Sequence, residues 1–225
     1  MDARPSGRIR KVLSELAGHP KIIITIVSGR DIKSLLELFG GFDTSQVNWS
    51  GAHGMQMRFC GSDSTLFEKA PPEIISVKNE INDIIGPYPC FNLEDKKIAF
   101  ALHYRKCPQK FLFVLDRAEE ILNRHMTVNN LEVLKMKKVI EVKPAGVSKG
   151  DTVGAVLAKY GCQDGSINIC IGDDLTDEYL FMANPEGINI KVGKHKGLHT
   201  AAGYFLKGVS DVYWFLTLLR SKIIS

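Results

Sequence analysis

Residues 169–178 read Ile-Cys-Ile-Gly-Asp-Asp-Leu-Thr-Asp-Glu, and this stretch decides the class of fold. Its short apolar run ends at Gly172 and has the character of a buried strand. Acidic side chains then follow within six positions, and they are Asp173, Asp174, Asp177 and Glu178. A buried strand that ends in a glycine turn places such carboxylates at the carboxyl end of a sheet, where open α/β sheets bind their ligands.

These crowded carboxylates have two interpretations. In the first, they hold a cation, because neighbouring carboxylates repel one another unless a positive charge neutralises them. Oxygen ligands of this kind suit Mg²⁺. In the second, Asp173 or Asp174 caps the helix that follows, and the other acidic side chains favour the positive amino end of that helix. The stretch by itself leaves both interpretations open.

Composition narrows the class of protein. Of the 225 residues, 44% are hydrophobic and 24% are charged, which is typical of a globular protein with one large or two modest cores. The formal net charge of +4 is too small to indicate a nucleic-acid partner. Apolar runs are all shorter than the roughly 18 residues of a membrane span, and the first residues do not resemble a signal peptide, so we expect no membrane partner.

The five cysteines are an odd number and include no Cys-x-x-Cys pair. We therefore expect neither a zinc site nor a disulfide framework. Reduced thiols indicate a cytoplasmic protein. The sequence does not indicate an oligomeric state.

Apolar patterns predict a parallel sheet on both sides of the middle of the chain. Residues 21–27 are nearly all apolar and β-branched, as expected of a strand buried on both faces. A helical pattern over 32–39 and a short strand over 47–49 follow, and this order predicts a right-handed parallel crossover. The same alternation resumes with helix 148–160, strand 166–171, helix 176–182 and strand 187–192.

The middle of the chain has a different pattern. Two hairpins are predicted, over 90–104 and 131–142. An amphipathic helix over 72–85 precedes the first, and a helix over 111–124 precedes the second. Hairpins joined to helices are typical of an antiparallel α+β unit. We therefore predict a core domain formed by residues 1–57 and 143–225, with residues 58–142 as an inserted α+β cap domain.

Two further stretches place polar groups where a strand ends and where a helix begins. Ser28-Gly29-Arg30 follows the first buried strand, where a hydroxyl, a backbone N–H and a guanidinium can bind a phosphoryl group. The alternative is a helix cap beside a surface arginine. Lys149 lies at the amino end of the predicted helix, a position that the helix dipole disfavours for a cation. It is either an exposed loop lysine or a side chain retained to hold phosphate and carboxylates together.

Other charged residues lie at predicted strand ends in or beside the insert. These are Glu94, Lys96, Glu141 and Lys143. Such carboxylate and ammonium groups bind sugar hydroxyls, although the ends of hairpins are usually only solvated. His53 lies in a glycine-rich turn, where it either faces a ligand or only shapes the turn.

Taken in order, these motifs resemble the haloacid dehalogenase superfamily and, more closely, the trehalose-6-phosphate phosphatases. The resemblance extends over about residues 2–205. Its motifs are Val27-Ser28-Gly29-Arg30, Gly51-Ala52-His53-Gly54, Leu93-Glu94-Asp95-Lys96, His103-Tyr104-Arg105, Glu141-Val142-Lys143-Pro144, Lys149-Gly150, Gly172-Asp173-Asp174 and Thr176-Asp177-Glu178. The fold that the resemblance implies is α/β, a Rossmann-like parallel core of the haloacid dehalogenase type with an inserted α+β cap domain.

The resemblance also implies a reaction, the Mg²⁺-dependent hydrolysis of trehalose 6-phosphate through an aspartyl-phosphate. It assigns phosphoryl binding to Ser28 and charge compensation to Lys149. Asp173 would bind Mg²⁺ directly, with Asp174 or Asp177 supporting it. The residues implied to bind the sugar phosphate are Arg30, His53, Glu94, Lys96, Glu141 and Lys143.

One motif of that family, Asp-x-Asp-Gly-Thr, is absent from these 225 residues. In the family it supplies both the nucleophile and the acid/base aspartate on a central strand between the strands at 21–27 and 166–171. We therefore expect the chain as given to be inactive or nearly so, with two strand edges left unpaired or closing on each other. Two alternatives remain open: another phosphatase of the superfamily, acting on sucrose phosphate or a glycosyl-phosphoglycerate, and a non-catalytic regulatory domain that binds sugar phosphate.

Overall fold

Three β-sheets are formed by the residues that the computed structural model describes, which are 4–62, 66–67, 72–96, 98–126, 131–161, 165–193 and 199–224. The first sheet contains β1 (Thr25–Val27), β2 (Asn48–Gly51), β3 (Gln56–Arg58) and β4 (Leu66–Phe67). The second contains β5 (Asn92–Asp95), β6 (Phe100–His103), β7 (Leu131–Met136) and β8 (Val139–Pro144). The third contains β9 (Ile169–Gly172), β10 (Ile188–Val192) and β11 (Tyr204–Leu206).

The helices begin where the sequence offers a cap or a turn. Ser6 accepts a hydrogen bond from the backbone N–H of Ile9 at 3.4 Å, and Asp31 accepts one from Ser34 at 2.8 Å. The α-helices are α1 (Gly7–Ala17), α2 (Ile32–Leu38), α3 (Pro72–Ile85), α4 (Leu112–Met126), α5 (Asp151–Tyr160), α6 (Glu178–Met182) and α7 (Val209–Ile223). None of the described helices combines the length and apolar character needed to cross a lipid bilayer.

The first sheet begins with the predicted parallel pair. β1 and β2 are parallel neighbours with Val27 opposite Ser50, and α2 forms the crossover between them. Trp49 of β2 is fully buried, and its ring packs edge-on against Phe39 at 5.1 Å and Phe42 at 6.4 Å. β3 and β4 then extend the sheet as antiparallel strands. The predicted strand–helix–strand unit is confirmed.

The third sheet is parallel throughout. β10 lies between β9 and β11, with Ile171 of β9 opposite Ile190 of β10. α6 joins β9 to β10, and its buried residues Leu180 and Phe181 pack in one cluster with Val153 of α5. The parallel arrangement predicted for the later part of the chain is therefore confirmed.

The first and third sheets both border one slot. Among the described strands, β1 has β2 as its one neighbour and β9 has β10, so one edge of each strand is unpaired. Residues of both strands and of α5 line the slot, which has a volume of about 430 Å³. Its apolar lining includes Val27, Val153, Leu157, Ile169 and Ile171. Backbone N–H and C=O groups along both edges are therefore available to pair with another strand.

The second sheet is antiparallel, with strand order β5-β6-β8-β7. Ile140 and Val142 of β8 are fully buried in a core that includes Val77 of α3 and Ala118 of α4. Because side chains alternate across a strand, Glu141 projects from the opposite face. The predicted hairpins are confirmed, and polar residues lie on the face away from the helices.

The chain divides into two compact units, one formed by Met1–Phe67 with Ser148–Ser225 and the other by Glu68–Val147. The first unit contains the first and third sheets, and the second contains the antiparallel sheet with α3 and α4. β4 falls within the predicted cap, yet it pairs with β3 of the first unit. The predicted domain boundaries, residues 58–142 for the cap and the remaining residues for the core, stay a prediction.

Candidate active site

The carboxylate turn, residues 172–178, is organised by the side chain of Asp177. Its Oδ2 accepts hydrogen bonds from the backbone N–H groups of Asp173 at 2.8 Å and of Asp174 at 3.0 Å. Gly172 leaves room for this arrangement, because a Cβ at that position would collide with the Asp177 side chain. Asp177 is buried, with 6% of its surface exposed. The turn is therefore held from within by one carboxylate.

Lys149 supplies the positive charge beside this turn. Its Nζ lies 2.7 Å from Asp177 Oδ1 and 3.3 Å from Asp174 Oδ2. Only 5% of the Lys149 side chain is exposed, so its charge is compensated by these carboxylates and not by water. The residue lies two positions before α5, which begins at Asp151 and not at residue 148 as predicted. The structure thus brings Lys149 to the carboxylates, and its catalytic role stays a prediction.

The carboxyl groups of Asp173 and Asp174 differ in pKa. Partial burial raises the pKa of Asp173, and repulsion from Asp177 and Asp174 raises it further, although much of the side chain faces solvent. Burial would also raise the pKa of Asp174, but the hydrogen bond from the Thr176 hydroxyl, at 2.6 Å, and the charge of Lys149 outweigh it and lower the pKa. A nearby cation would relieve the repulsion that Asp173 experiences.

Ser28 and His53 are brought together at the end of β1. The backbone N–H of His53 donates to the Ser28 carbonyl at 3.1 Å, and the Ser28 hydroxyl accepts from the Arg30 N–H at 3.1 Å. His53 adopts left-handed backbone angles, φ 58° and ψ 32°. Its ring packs against Gly29, where a Cβ would lie only 2.5 Å from His53 Nε2. The glycine therefore permits the close approach of the imidazole.

Two contacts that the sequence does not reveal hold β2 and its following turn against the start of α5. The hydroxyls of Ser50 and Thr152, which are 102 positions apart, hydrogen-bond at 2.6 Å, and both residues are buried. Gly54 packs against the Ser148 carbonyl so closely that a Cβ would collide with it. Isolated hydroxyls carry no recognisable spacing, so no signal in the sequence identifies Ser50 or Thr152 as a pair.

These contacts gather the predicted core residues around the slot. Its polar lining includes Ser28, Lys149, Asp173, Asp174 and Asp177. Arg30 is solvent-exposed and does not line the slot, whereas His53 reaches it only through Gly29. The hydroxyl, ammonium and carboxylates of this lining are groups that bind an anionic phosphoryl group and a cation.

The described residues fit a divalent cation in charge and in type of donor. Asp173 and Asp174 are adjacent in the chain and offer exposed carboxylate oxygens, although Asp174 also accepts from Thr176 and Lys149. Asp177 is buried, and Lys149 and the turn occupy both of its oxygens. Within the described ranges, no three carboxylate, imidazole or thiol side chains converge as a complete metal site. Mg²⁺ is commonly bound by only one or two carboxylates together with water and substrate phosphate, so two are sufficient from this turn.

The second unit holds the other four predicted residues, and each already has a partner. Lys96 Nζ lies 2.9 Å from Glu141 Oε1, and Glu94 Oε2 lies 2.7 Å from His103 Nε2. Lys143 pairs with Glu132 at 2.7 Å and also donates to the Val147 carbonyl. Glu141 and Lys143 are almost fully buried, each with 2% of its side chain exposed. His103 belongs to one of the motifs on which the family resemblance rests, but no pattern in the sequence identified Glu132.

Comparison with known proteins shows which family the chain resembles. The model of the trehalose-phosphatase family matches residues 1–210 of the chain. The trehalose-6-phosphate phosphatase of Escherichia coli is 28% identical over 202 residues, which are 89% of this chain and 72% of that protein. The trehalose-phosphate phosphatase of Mycobacterium leprae is 31% identical over 196 residues. That match covers 80% of this chain but 43% of the Mycobacterium leprae protein.

Solved structures agree with this placement. The C-terminal domain of the C. albicans trehalose-6-phosphate phosphatase superposes with a TM-score of 0.76 at 28% identity, covering 97% of this chain and 85% of that one. A haloacid dehalogenase-like hydrolase from Bacteroides thetaiotaomicron shares the fold with a TM-score of 0.74 at 15% identity, covering 95% and 92% of the two chains. The predicted fold class, a Rossmann-like core with an inserted cap, is confirmed. The chain belongs to the trehalose-phosphatase family.

Proposed function

We propose that this chain forms the sugar-phosphate site of a phosphatase that hydrolyses trehalose 6-phosphate to trehalose and phosphate. One observation supports this above all. Ser28, Lys149 and the Asp173–Asp174 pair line one slot, although they lie far apart in the chain. A hydroxyl, a buried ammonium and two adjacent carboxylates can bind a phosphoryl group and a cation, whereas the nucleophile must be supplied separately.

In this proposal each core residue has a distinct role. The Ser28 hydroxyl donates to a phosphoryl oxygen, and Lys149 offsets negative charge on phosphate and carboxylates. Asp173 and Asp174 hold Mg²⁺, with Asp177 shaping their turn. When bound, Mg²⁺ neutralises charge on the phosphoryl oxygens. Arg30 and His53 contact the substrate from the core.

The sugar is proposed to bind the polar face of the antiparallel sheet. Glu141 and Lys96 form an ion pair there. Lys143 lies two positions after Glu141 on β8, and Glu94 lies on β5, which β6 separates from β8. Carboxylates accept from sugar hydroxyls, and ammonium groups donate to them. Since these residues are already paired, binding would exchange protein–protein hydrogen bonds for protein–sugar ones.

The nucleophile must come from a strand that enters the slot. An aspartate there would attack phosphorus and release trehalose, and water would then cleave the aspartyl-phosphate. The 225 residues contain no Asp-x-Asp-Gly-Thr motif, so we expect negligible activity from this chain alone. The test measures Mg²⁺-dependent phosphate release from trehalose 6-phosphate by this chain. The same assay is run on a version preceded by an apolar strand that ends in Asp-x-Asp-Gly-Thr.

The extended version should release phosphate at least about 10³-fold faster than the chain alone, as expected when a nucleophile is restored to a formed site. Within it, Lys149→Met should lower kcat at least about 10²-fold. The control variant Lys159→Met changes an exposed lysine of α5 and should leave kcat unchanged. Phosphate release by the unextended chain would contradict the inactivity, and preference for sucrose phosphate or a glycosyl-phosphoglycerate would contradict the trehalose assignment.

The missing motif also favours a second candidate, a non-catalytic domain that binds sugar phosphate. Its distinguishing result is a rise in Tm of the unextended chain with trehalose 6-phosphate and Mg²⁺, without turnover by the extended version. A cytoplasmic location is proposed as well, because Cys60, Cys90, Cys107 and Cys170 are free thiols. The fifth cysteine, Cys162, lies outside the described residues.

A further inference from the structure

Lys191 makes contacts that the proposed reaction does not use. It lies on β10 directly opposite Gly172, the residue at which the carboxylate turn begins. Its ammonium donates to the Asp174 carbonyl oxygen at 2.7 Å and to Glu178 Oε1 at 2.9 Å. The side chain is mostly buried, with 16% exposed, and Nζ lies 5.9 Å from the centre of the Phe181 ring. Lys191 is therefore held in place on three sides.

Glu178 is the counter-charge in this arrangement and is itself fixed. Its carboxylate accepts from the Thr200 hydroxyl at 2.9 Å and from the Ala201 N–H at 3.0 Å, in addition to Lys191. Burial would raise the pKa of Glu178, but the hydrogen bonds from Lys191, Ala201 and Thr200 outweigh it and lower the pKa. Glu178 consequently stays ionised at neutral pH and keeps the Lys191 ammonium near the Asp174 carbonyl.

The carboxylate turn is thus held from two sides. Asp177 accepts the N–H groups of Asp173 and Asp174 from inside the turn, and Lys191 donates to the Asp174 carbonyl from outside it. Fixing both the N–H and the C=O of one residue restricts rotation of the peptide planes on either side. The direction of a side chain follows from its backbone, so this restriction extends to the Asp173 and Asp174 carboxylates.

We propose that Lys191, with Glu178 as its counter-charge, is a positioning residue that aims the carboxylates of Asp173 and Asp174 at a divalent cation. The inference rests on the metal site of the proposed function. Groups beyond the ligands typically alter metal affinity by about 10–100-fold through the orientation of the ligands. An ion pair that served stability alone would not affect the metal affinity of the folded protein.

The test compares wild type with Lys191→Met, which keeps the length of the side chain and removes its charge. Lys191→Arg retains donors for both acceptors and is the conservative variant. Lys33→Met, an exposed lysine of α2 in the same unit, is the matched control. Two readouts are taken at a temperature where circular dichroism shows each variant folded. They are Mn²⁺ binding by electron paramagnetic resonance and hydrogen exchange of a peptide covering residues 172–178.

Lys191→Met should bind Mn²⁺ about tenfold more weakly. Its turn amides should exchange faster, because the hydrogen bonds to Asp177 would form less often. Lys191→Arg should recover most of both effects, and Lys33→Met should show neither. Exchange that is unchanged in Lys191→Met would overturn the proposal even if its Tm falls. If wild type itself binds no Mn²⁺, the proposed metal site fails, and the exchange measurement still decides whether Lys191 positions the turn.

Discussion

Asp177 combines two tasks in one buried side chain. One oxygen accepts the backbone N–H groups that shape the carboxylate turn, and the other pairs with Lys149. Asp174 also contacts Lys149, but 56% of its side chain is exposed, so water screens that ion pair. The two aspartates therefore differ in their importance for stability although they lie three positions apart.

Asp177→Asn should lower the free energy of unfolding by about 3 kcal/mol, because it leaves the buried Lys149 ammonium without its nearest counter-charge. Asp174→Asn should lower it by less than about 1 kcal/mol, since that pair is largely exposed. Urea unfolding at pH 7 measures both. Equal losses for the two variants would show that Asp177 is not the principal partner of Lys149.

The cysteines should differ in reactivity. Burial raises the pKa of Cys170 to about 11, and repulsion from Asp177 contributes. At pH 8 only about one in a thousand Cys170 thiols would be ionised, and the thiolate is the reactive form. Exposed Cys60 should therefore be alkylated by iodoacetamide much faster in the folded protein. Peptide mass spectrometry over time measures both rates, and comparable rates would contradict the burial of Cys170.

At the scale of elements, the amino end of α5 packs closely against α6, and this packing holds Lys149 near the carboxylate turn. Gly150 lies where a Cβ would be 2.6 Å from the Tyr179 carbonyl oxygen, so α5 and α6 pack almost backbone to backbone there. One turn further on, a Cβ at Gly154 would have nothing within 4 Å. Close packing therefore requires a glycine at position 150, whereas position 154 has room for a side chain.

Gly150→Ala should destabilise the protein by about 1–3 kcal/mol, since backbone atoms must shift to admit the methyl group. Gly154→Ala should stabilise it by up to about 1 kcal/mol, because alanine favours the interior of a helix. Denaturation midpoints of the two variants provide the measurement. A change of the same sign at both positions would contradict the close packing of α5 on α6.

At the scale of the whole molecule, we expect β1 and β9 to promote association between copies, because each has one edge without a neighbour among the described strands. Unpaired edges of apolar strands promote association between copies, and a charge on the edge prevents it. Ile169→Lys places a charge on β9 inside the slot and should reduce association as concentration rises. Ile75→Lys changes an exposed apolar residue of α3 in the other unit and serves as the control.

Light scattering over a concentration series distinguishes the two variants. The edge interpretation predicts less scattering for Ile169→Lys than for wild type and no difference for Ile75→Lys. If both variants reduced the scattering equally, general surface hydrophobicity and not the strand edge would cause the association.

Much of the fold follows from local patterns. The β-branched run over residues 21–27 predicted a parallel strand buried on both faces, and β1 does pair with β2 in parallel. Its residues are only half-buried, because one edge of β1 has no neighbour among the described strands and borders the slot. The exact ends were less predictable, since β1 begins at Thr25 and not at residue 21. Pairing with β2 extends over three residues, and hydrogen bonding to a neighbour, not composition, sets where a strand starts.

The candidate site was predictable in its residues but not in their partners. Lys149 was identified because a cation is unfavourable at the amino end of a helix. Its nearest partner, Asp177, depends on how α5 packs against the carboxylate turn. Lys143 was predicted to bind sugar, and the structure places its ammonium against Glu132 and the Val147 carbonyl. That role in sugar binding stays a prediction.

The sequence by itself determined the elements, the order of motifs and the acidic turn, because periodicity, glycine turns and capping are properties of neighbouring residues. Tertiary structure alone decided the contacts between distant positions. The Ser50–Thr152 hydrogen bond, the fixing of Asp174 by Lys191 and the open slot between β1 and β9 all depend on which surfaces meet. Such contacts arise from the packing of whole helices and sheets, and no short stretch of sequence encodes them.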